Sequence, residues 1–559
     1  MNIVKYISAL GIVAATALTS CIEEYDPQAS YANIDQVQTS PTSFQSVVEA
    51  LCAPLSGEFT YAGSSNMNAN DFGYTSFYLE RDVMGQDILP AYMNWWQGWY
   101  GCIYLGASNG YPQYALTCYY KWIKNCNTVI EFAGDEPTED KYSGLGQAYA
   151  MRALLYLDVA QMYGENPSDP DALSCVFHKE FETIQEAQHN PRKTNRQMYA
   201  QIISDLDQAE YYLADYVRPD VYTPDLSVVY GLKARTYLLA QDWANAEKYA
   251  KMAQEGYAMM TSEQYTDRNL GFNTPNGAWM LATRFQSTDP CIQLNDADSS
   301  WGSMMSIEIN PYVSGCGYAS NYGQPMLIDR HLYETIPSTD ARKMCYIDFA
   351  IDELDTEEEM IEALSAYSDY PEWILYTGYY SSSDGSFEGV GGLPLKFRVA
   401  GGAEGHNNQY IGFLQSVPMM RVEEMMLIEA EAAGMQDESR GIALLTTFAT
   451  NRDPEYTYGT HNEAYYNTST SAFQNEIWWQ RRVELWGEGF ATYDIKRLRK
   501  GIIRSYDGTN HVKDYRWNVE TTPQWMVWVY CQTESNYNYD LVNNPNPVAP
   551  ICDSPEYVW

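Results

Sequence analysis

Apolar residues recur at helical spacing in the first half of the chain. Six of them fall on one face of the segment 199–213, with acidic residues between them: Tyr199, Ile202, Ile203, Leu206, Ala209 and Leu213. This period of about 3.6 residues predicts an amphipathic helix. After a proline-rich turn, a second helical run covers Tyr230 to Leu238, and Asp242 is placed to cap a third run that ends near Ala253.

Similar patterns predict helices toward both ends of the chain, over 43–53, 119–132, 146–162, 421–433 and 473–486. Three glycines are placed to end three of these helices: Gly134, Gly164 and Gly434. The alanines of the third run would let two helices approach closely, so this helix-turn-helix resembles a tetratricopeptide unit. The sequence therefore predicts a mostly α fold.

The middle of the chain, from about 256 to 416, is rich in Gly, Ser, Asn, Pro and Tyr, with brief strand-like runs at 279–285 and 393–399. A long loop-rich insertion on a helical scaffold is where binding specificity usually resides. Its acidic stretch at 352–362 lacks the glycine-centred spacing of a calcium loop and predicts a solvated helix face.

The start of the chain has the layout of a secretory signal, with Lys5 before an apolar run from Ile7 to Leu18. That run is about 12 residues long, whereas a helix needs roughly 20 to cross a bilayer. Leu18-Thr19-Ser20-Cys21 resembles the lipobox of bacterial lipoproteins. We therefore expect residues 1–20 to be removed, Cys21 to carry the lipid, and 21–40 to form a tether to the membrane.

Charge and composition exclude some partners and favour others. A formal charge of −39 repels nucleic-acid phosphates, so no nucleic-acid partner is expected. The 49 tyrosines and 15 tryptophans are in excess, and flat rings pack against the apolar faces of sugars as readily as against one another. These rings therefore favour a carbohydrate ligand.

Cysteine and histidine do not form a metal-binding pattern. No Cys-x-x-Cys pair exists and histidines number only six, so a zinc site of ordinary spacing is not expected. Export permits disulfides, and their pairing stays open. Cys118 and Cys126, eight residues apart on a predicted helix, are expected to be buried free thiols.

Six segments in one order carry a resemblance to a known family. They are 122–130, 146–164, 192–206, 230–235, 421–432 and 481–497, which include Arg152-Ala153-Leu154-Leu155-Tyr156 and Arg481-Arg482-Val483-Glu484-Leu485-Trp486-Gly487-Glu488-Gly489-Phe490. Together they resemble the SusD/RagB family of outer-membrane nutrient-binding lipoproteins. The usual apolar-Pro-Gln-Ser-Glu ending of that family is replaced here by Ala549-Pro550-Ile551-Cys552-Asp553-Ser554-Pro555-Glu556.

The resemblance implies a superhelix of tetratricopeptide-like helix pairs with a large, variable, loop-rich insertion. The resemblance also implies that residues 41–559 form a single SusD-like domain. Its helical scaffold would cover 41–255 and 417–505, its ligand face 256–416, and its C-terminal segment 506–559. The resemblance further implies a partner, a SusC-like TonB-dependent transporter, and a lipid-anchored place on the outer membrane. Glu23, Glu24 and Asp26 resemble the tag that directs such lipoproteins to the cell exterior.

Two carboxylates could suggest catalysis. Glu484 and Glu488 are four residues apart on a predicted helix, a spacing that superficially matches a retaining glycosidase. Arg481 and Arg482 lie beside them, however, and cations lower the pKa that a general acid needs raised. We expect interior ion pairs and no enzyme. No motif indicates a cofactor or a metal, although a structural calcium ion is left open.

Aromatic residues in two regions are the candidates for ligand contact. The stretch 92–100 is so aromatic that some of its rings should be exposed, and the loops of 300–322 present further rings among Gly, Ser and Asn. The family draws its ligand face from these regions. The ring candidates are Trp95, Trp96, Trp99, Trp301, Tyr312, Tyr318 and Tyr322, and the polar candidates are Asn94, Arg81 and Asn321.

The sequence thus predicts a non-catalytic surface lipoprotein that captures oligosaccharides and delivers them to its transporter. The peptide-binding branch of the same family, a lipid-anchored glycoside hydrolase and a structural or adhesin subunit stay open as alternatives. A peptide ligand would need paired amide contacts more than ring platforms, so the aromatic excess favours a sugar.

Overall fold

A computed structural model describes residues 41–56, 70–91, 94–293, 297–313, 315–321, 324–379, 389–550 and 554–559. The predicted signal peptide, the predicted tether with Cys21, and Tyr322 lie outside these residues, as do the side chains of Asn94 and Asn321.

Helices dominate the described chain, so the predicted mostly α fold is confirmed. Those of seven residues or more are α1 Pro41–Glu49, α2 Ser76–Val83, α3 Gly110–Ala133, α4 Tyr142–Tyr163, α5 Asn195–Tyr212, α6 Leu226–Leu239, α7 Trp243–Ala253, α8 Glu357–Leu364, α9 Pro371–Tyr379, α10 Val422–Gln436, α11 Glu438–Thr450, α12 Ala472–Glu484 and α13 Ala491–Arg497. Shorter helices are Gln97–Tyr100, Ile184–Gln188, Ser262–Tyr265, Pro290–Gln293, Trp301–Met305, Gly317–Asn321, Arg330–Thr335, Gly402–Gly405, Gln409–Gly412 and Gln532–Tyr537.

Seven helices stack in a row as the scaffold. In the order α3, α4, α5, α6, α7, α10, α11, each packs against the next. Helix α7 buries the predicted small residues Ala246, Ala250 and Ala253. Because α7 ends at 253 and its neighbour α10 begins at 422, the segment 254–421 leaves the stack and returns to it.

Three short antiparallel strand pairs complete the regular structure of the described chain: β1 Ile88–Pro90 with β3 Met326–Ile328, β2 Trp279–Arg284 with β4 Ser416–Arg421, and β5 Ile502–Ile503 with β6 Asn518–Val519. The β2–β4 pair runs from Trp279 opposite Arg421 to Arg284 opposite Ser416. It joins the two ends of the segment that leaves the helical stack.

The predicted strand at 393–399 is wrong. Its apolar residues are buried, but the backbone N–H groups donate to separate loops: that of Leu395 to Cys345 O at 2.7 Å, and that of Arg398 to Gly271 O at 3.1 Å. A segment with alternating apolar residues forms a β-strand only if a second strand lies beside it and accepts its backbone hydrogen bonds. Here several loops take that place.

Helix ends follow local chemistry in one case and packing in another. The Asp242 side chain accepts the N–H of Asn245 and begins α7, as predicted. Gly434 does not end α10, which continues to Gln436. A Cβ at Gly434 would lie 2.2 Å from Cε1 of Phe473 on α12, so this glycine permits a close helix crossing.

Nine cysteines are described, and all carry free thiols. Cys118 and Cys126 are buried on α3, which confirms their predicted state. Burial raises the pKa of the Cys118 thiol well above its usual value. A neutral buried thiol is a poor nucleophile, so these cysteines act as packing residues.

Residues 357–362 of the acidic stretch lie on helix α8, where Glu357, Glu358 and Glu359 are exposed as predicted. Asp352 lies before this helix, and its carboxylate accepts the N–H groups of Val390 and Gly391. Acidic residues in the first turn interact favourably with the helix dipole. Among the described helices, none is both long and apolar enough to cross a bilayer.

Candidate ligand-binding surface

Glu484 and Glu488 lie in a buried ion-pair network. An oxygen of Glu484 is 3.0 Å from Nη2 of Arg452 and 3.2 Å from Nη1 of Arg421, and Glu488 is 2.8 Å from Nη2 of Arg421. Burial raises the pKa of Glu484, but Arg452 and Arg421 outweigh it and hold the pKa below its usual range. The pKa of Glu488 is lowered in the same way, by Arg421 and Lys396 against burial. The predicted interior ion pairs are confirmed.

The cations in this network differ from those that the sequence suggested. Arg481 Nε donates to Asp494 at 2.7 Å, and Arg482 Nη2 donates to Asp87 at 2.6 Å. Arg482 lies about 200° around α12 from Glu484 and points away from it. Arg481 is three residues before Glu484 on the same face, but its guanidinium is bound to Asp494. Four distant residues supply the positive charge: Arg342, Lys396, Arg421 and Arg452.

Arg81, a predicted polar ligand residue, is part of the interior. Its Nε donates to the carbonyl oxygen of Gly489 at 3.0 Å, and its Nη1 donates to the hydroxyl of Tyr493 at 2.9 Å. The residue is 2% exposed. Arg81 therefore does not lie at the surface, because the protein itself uses the guanidinium in hydrogen bonds within the core.

Three of the four candidate tryptophans are also buried. Trp96, Trp99 and Trp301 are 1%, 0% and 0% exposed. Trp99 packs on Tyr111, with ring centroids 4.2 Å apart, and Trp301 meets Phe397 edge to face at 4.9 Å. Rings from distant segments thus cover them, so their prediction as exposed platforms is wrong.

Trp95 and Tyr318 form a partly exposed ring pair. Both are half-buried, and their centroids lie 6.4 Å apart with the planes at 88°. Tyr312 is 76% exposed and meets Tyr376 edge to face at 5.5 Å. Of the predicted ring residues that the structure describes, these three reach the surface. Their contact with a ligand stays a prediction.

The backbone beneath this pair is fixed by the core. The buried Asn70 side chain donates to the carbonyl oxygen of Trp95 at 2.9 Å, and the N–H of Tyr318 donates to Ser303 Oγ at 2.9 Å. Gly317 has φ +79°, and a Cβ there would lie 2.8 Å from Cζ of Phe413. The two rings are therefore preorganised, which lowers the entropy lost when a ligand binds. No pattern in the sequence indicates the Asn70 contact.

Two cavities lie away from the ring pair. One of about 40 Å³ is enclosed by charged residues that include Arg81, Asp158 and Arg235, and it has room for water but not for a sugar. The other, of about 530 Å³, lies between α3 and residues 531–534 and is lined by Lys121, Lys124 and Lys179. Its size suits a small ligand, but its tyrosine, Tyr120, is only partly exposed and donates its hydroxyl to Val176 O at 2.8 Å.

Replacing Glu80 with glutamine is expected to raise the free energy of unfolding at pH 8 and to leave it nearly unchanged at pH 4. Glu80 on α2 is fully buried, and among the described residues neither carboxyl oxygen has a hydrogen-bond partner. Burial, and then Asp71, raise its pKa well above the usual 4.5. The unfolded chain ionises near that usual value, so the wild type loses stability as the pH rises and the amide variant does not.

Urea unfolding at pH 4 and pH 8 measures this effect. The gain should be present at pH 8 and nearly absent at pH 4, where both chains are neutral at this position. A variant less stable than the wild type at both pH values would contradict the expectation, since it would mean that the carboxylate has a partner.

Residues 35–238 match the model of a family, SusD-like, described as starch-binding and associating with the outer membrane. The SusD-like protein P38 of Formosa agariphila is 23% identical over 397 residues, which cover 69% of this chain and 72% of that protein.

Solved structures share the fold. A SusD-like carbohydrate binding protein from Bacteroides vulgatus is 21% identical with a TM-score of 0.66, over 90% of this chain and 97% of that one. The surface glycan-binding protein A from Bacteroides thetaiotaomicron is 17% identical with a TM-score of 0.61, over 91% and 99%. Together with the family match, these likenesses confirm the resemblance predicted from the sequence.

Proposed function

We propose that this SusD-like family protein captures a glycan at the outer surface of a bacterium and delivers it to a SusC-like TonB-dependent transporter without breaking a bond. The family's description as starch-binding and outer-membrane associated supports the ligand class and the location. The lipobox-like sequence at Cys21 supports a lipid anchor.

The observation that carries the proposal is the half-exposed pair of Trp95 and Tyr318. Two rings at 88° offer a sugar one stacking face and one edge. Sugars present apolar C–H faces that pack on aromatic rings, and their hydroxyls need a few hydrogen-bonding groups nearby. A preorganised ring pair at the surface supplies the aromatic rings on which a sugar face can pack.

The state of two buried carboxylates supports a function without bond cleavage. The acidic pair whose spacing suggested a glycosidase, Glu484 and Glu488, is buried and held ionised by arginines. A general acid must hold a proton near neutral pH, so this pair cannot protonate a leaving group. This state of Glu484 and Glu488 supports the proposal of binding without bond cleavage.

The experiment uses purified protein and a panel of polysaccharides, including starch, in native affinity gels. We expect retardation by at least one glycan, a change in tryptophan fluorescence on binding, and no released sugar. Copurification of a barrel protein from detergent-solubilised membranes tests the transporter partner.

Three results would contradict the proposal. Released oligosaccharides would indicate a hydrolase. Peptide binding without glycan binding would indicate the peptide-binding branch of the family. Binding to neither ligand class, with no barrel copurifying, would favour a structural or adhesin subunit.

A further inference from the structure

A second group of rings lies beside the Trp95–Tyr318 pair. We define the aromatic platform as Tyr312, Tyr370, Trp373 and Tyr376. Trp373 and Tyr376 are three residues apart on α9, so their side chains lie on neighbouring positions of one helix face. Tyr370 stacks on Trp373 with centroids 4.3 Å apart, and Tyr312 meets Tyr376 at 5.5 Å. The four rings therefore form a row.

The platform is rigid because buried residues support it. Tyr370 lies between Trp373 and His406, whose ring centroid is 4.3 Å from that of Tyr370, so Tyr370 supports Trp373 and leaves Trp373, Tyr376 and Tyr312 to contact a ligand. His406 is 2% exposed, with Nδ1 2.7 Å from the carbonyl oxygen of Gly402. Just before Tyr370, the Ser368 hydroxyl donates to the buried Glu308, which also pairs with Arg398 at 2.7 Å. The ring row is thus held without a ligand.

Amide groups lie next to the rings. The N–H of Asn310 donates to the carbonyl oxygen of His406, and its side chain donates to Oδ1 of Asn407 at 2.8 Å, in an exposed position. Asn310 Oδ1 accepts the N–H of Tyr312 at 3.0 Å. Tyr312 is exposed, and Trp373 and Tyr376 are half-buried. Rings that reach the surface with planar amides beside them are the groups that hold sugar rings and sugar hydroxyls.

Local charge restricts the ligand class. The carboxylates Asp369, Glu372 and Glu404 are exposed and lie within two residues of Tyr370, Trp373 and His406 in the sequence. Two arginines lie nearby: Arg268 pairs with Asp369 at 2.7 Å, and Arg398 is buried against Glu308. An anionic polymer would face repulsion both here and from the formal charge of −39, so the surface suits an uncharged chain.

The platform and the ring pair belong to one surface. Tyr318 lies on the helix Gly317–Asn321, and this helix packs against α9, which carries Trp373 and Tyr376. Packed helices lie about 8–10 Å apart, so the two ring groups are neighbours.

We infer that the aromatic platform is a second saccharide subsite, and that the ligand is a neutral glycan chain long enough to contact the platform and the Trp95–Tyr318 pair together. The inference rests on the proposed glycan capture. It adds that the glycan is uncharged and that it is long enough to contact both groups of rings. The sequence contains a signal for this site, because the aromatic residues Tyr370, Trp373 and Tyr376 recur at helical spacing in a loop-rich region.

The experiment compares Trp373→Ala, Tyr376→Ala and the 76%-exposed Tyr312→Ala with the wild type on neutral and anionic polysaccharides. We expect Trp373→Ala and Tyr376→Ala each to weaken binding of the neutral polymer that retards the wild type by at least about tenfold. A short oligosaccharide of that polymer, able to reach only the ring pair, should bind these variants within about twofold of the wild type.

Two controls separate loss of a ring from loss of structure. Trp373→Phe keeps a ring and should retain most of the polymer affinity. Tyr211→Ala removes a 65%-exposed tyrosine from α5 on the scaffold and should change nothing. Thermal unfolding shows whether each variant is folded.

The outcomes distinguish this inference from the proposed function. Unchanged polymer binding in Trp373→Ala and Tyr376→Ala, or a preference for anionic polymers, would overturn the subsite and leave glycan capture standing. Failure of the wild type to bind any glycan would overturn both.

Discussion

Replacing Glu484 with glutamine is expected to lower the free energy of unfolding by about 3–5 kcal/mol, the usual effect of breaking a buried ion pair. Glu484 contacts Arg342, Arg421 and Arg452 in a site where both partners of each pair are fully buried or nearly so. Asp340, Glu423, Glu484 and Glu488 together face four cations, so the variant leaves one buried positive charge without compensation.

Chemical denaturation with urea at pH 7 measures this loss. Glu362→Gln is the matched control, because it removes the same charge at an exposed position of α8 and should change stability by less than about 0.5 kcal/mol. A loss below about 1 kcal/mol for Glu484→Gln would mean that water or the neighbouring carboxylates compensate the arginines, and the network would then not stabilise the fold as argued.

The same network sets an acid dependence. The pKa of Glu484 is lowered in the folded chain, so its stabilising contribution is present above the unfolded pKa and is lost as the pH falls toward the folded pKa. The difference in stability between the wild type and Glu484→Gln should therefore shrink below about pH 4.

The double substitution Trp95→Ala with Tyr318→Ala is expected to weaken binding of a glycan that retards the wild type by at least about 2 kcal/mol, or roughly 30-fold. These two rings provide the half-exposed contact that the proposed function depends on. Because both are packed against the core only in part, we expect the variant to fold.

Affinity gels and titration calorimetry measure this loss, with Tyr211→Ala as the control for removing an exposed tyrosine elsewhere. Unchanged affinity in a folded double variant would place the glycan site away from this pair. If Tyr312→Ala or Trp373→Ala then weakened binding, the aromatic platform alone would hold the ligand.

Local sequence determined the helical scaffold. The 3.6-residue period of 199–213 is a property of neighbouring residues, and α5 forms there with bounds Asn195–Tyr212. The cap at Asp242 is equally local, since its oxygen accepts an N–H three residues along the chain. Ionised interior carboxylates at 484 and 488 were also predictable, because a buried charge requires a partner of opposite sign.

Tertiary structure decided which rings face solvent and which cations pair. Trp96 and Trp95 are adjacent in sequence, yet Trp96 is 1% exposed and Trp95 is only half-buried, with its ring against that of Tyr318, 223 residues further along the chain. Arg452 reaches Glu484 only because the end of α11 lies beside α12. Sequence periodicity reports the environment of a residue within a turn or two, whereas burial depends on every segment that packs against it. The helical body was therefore readable from the sequence, and the identity of the ring surface was not.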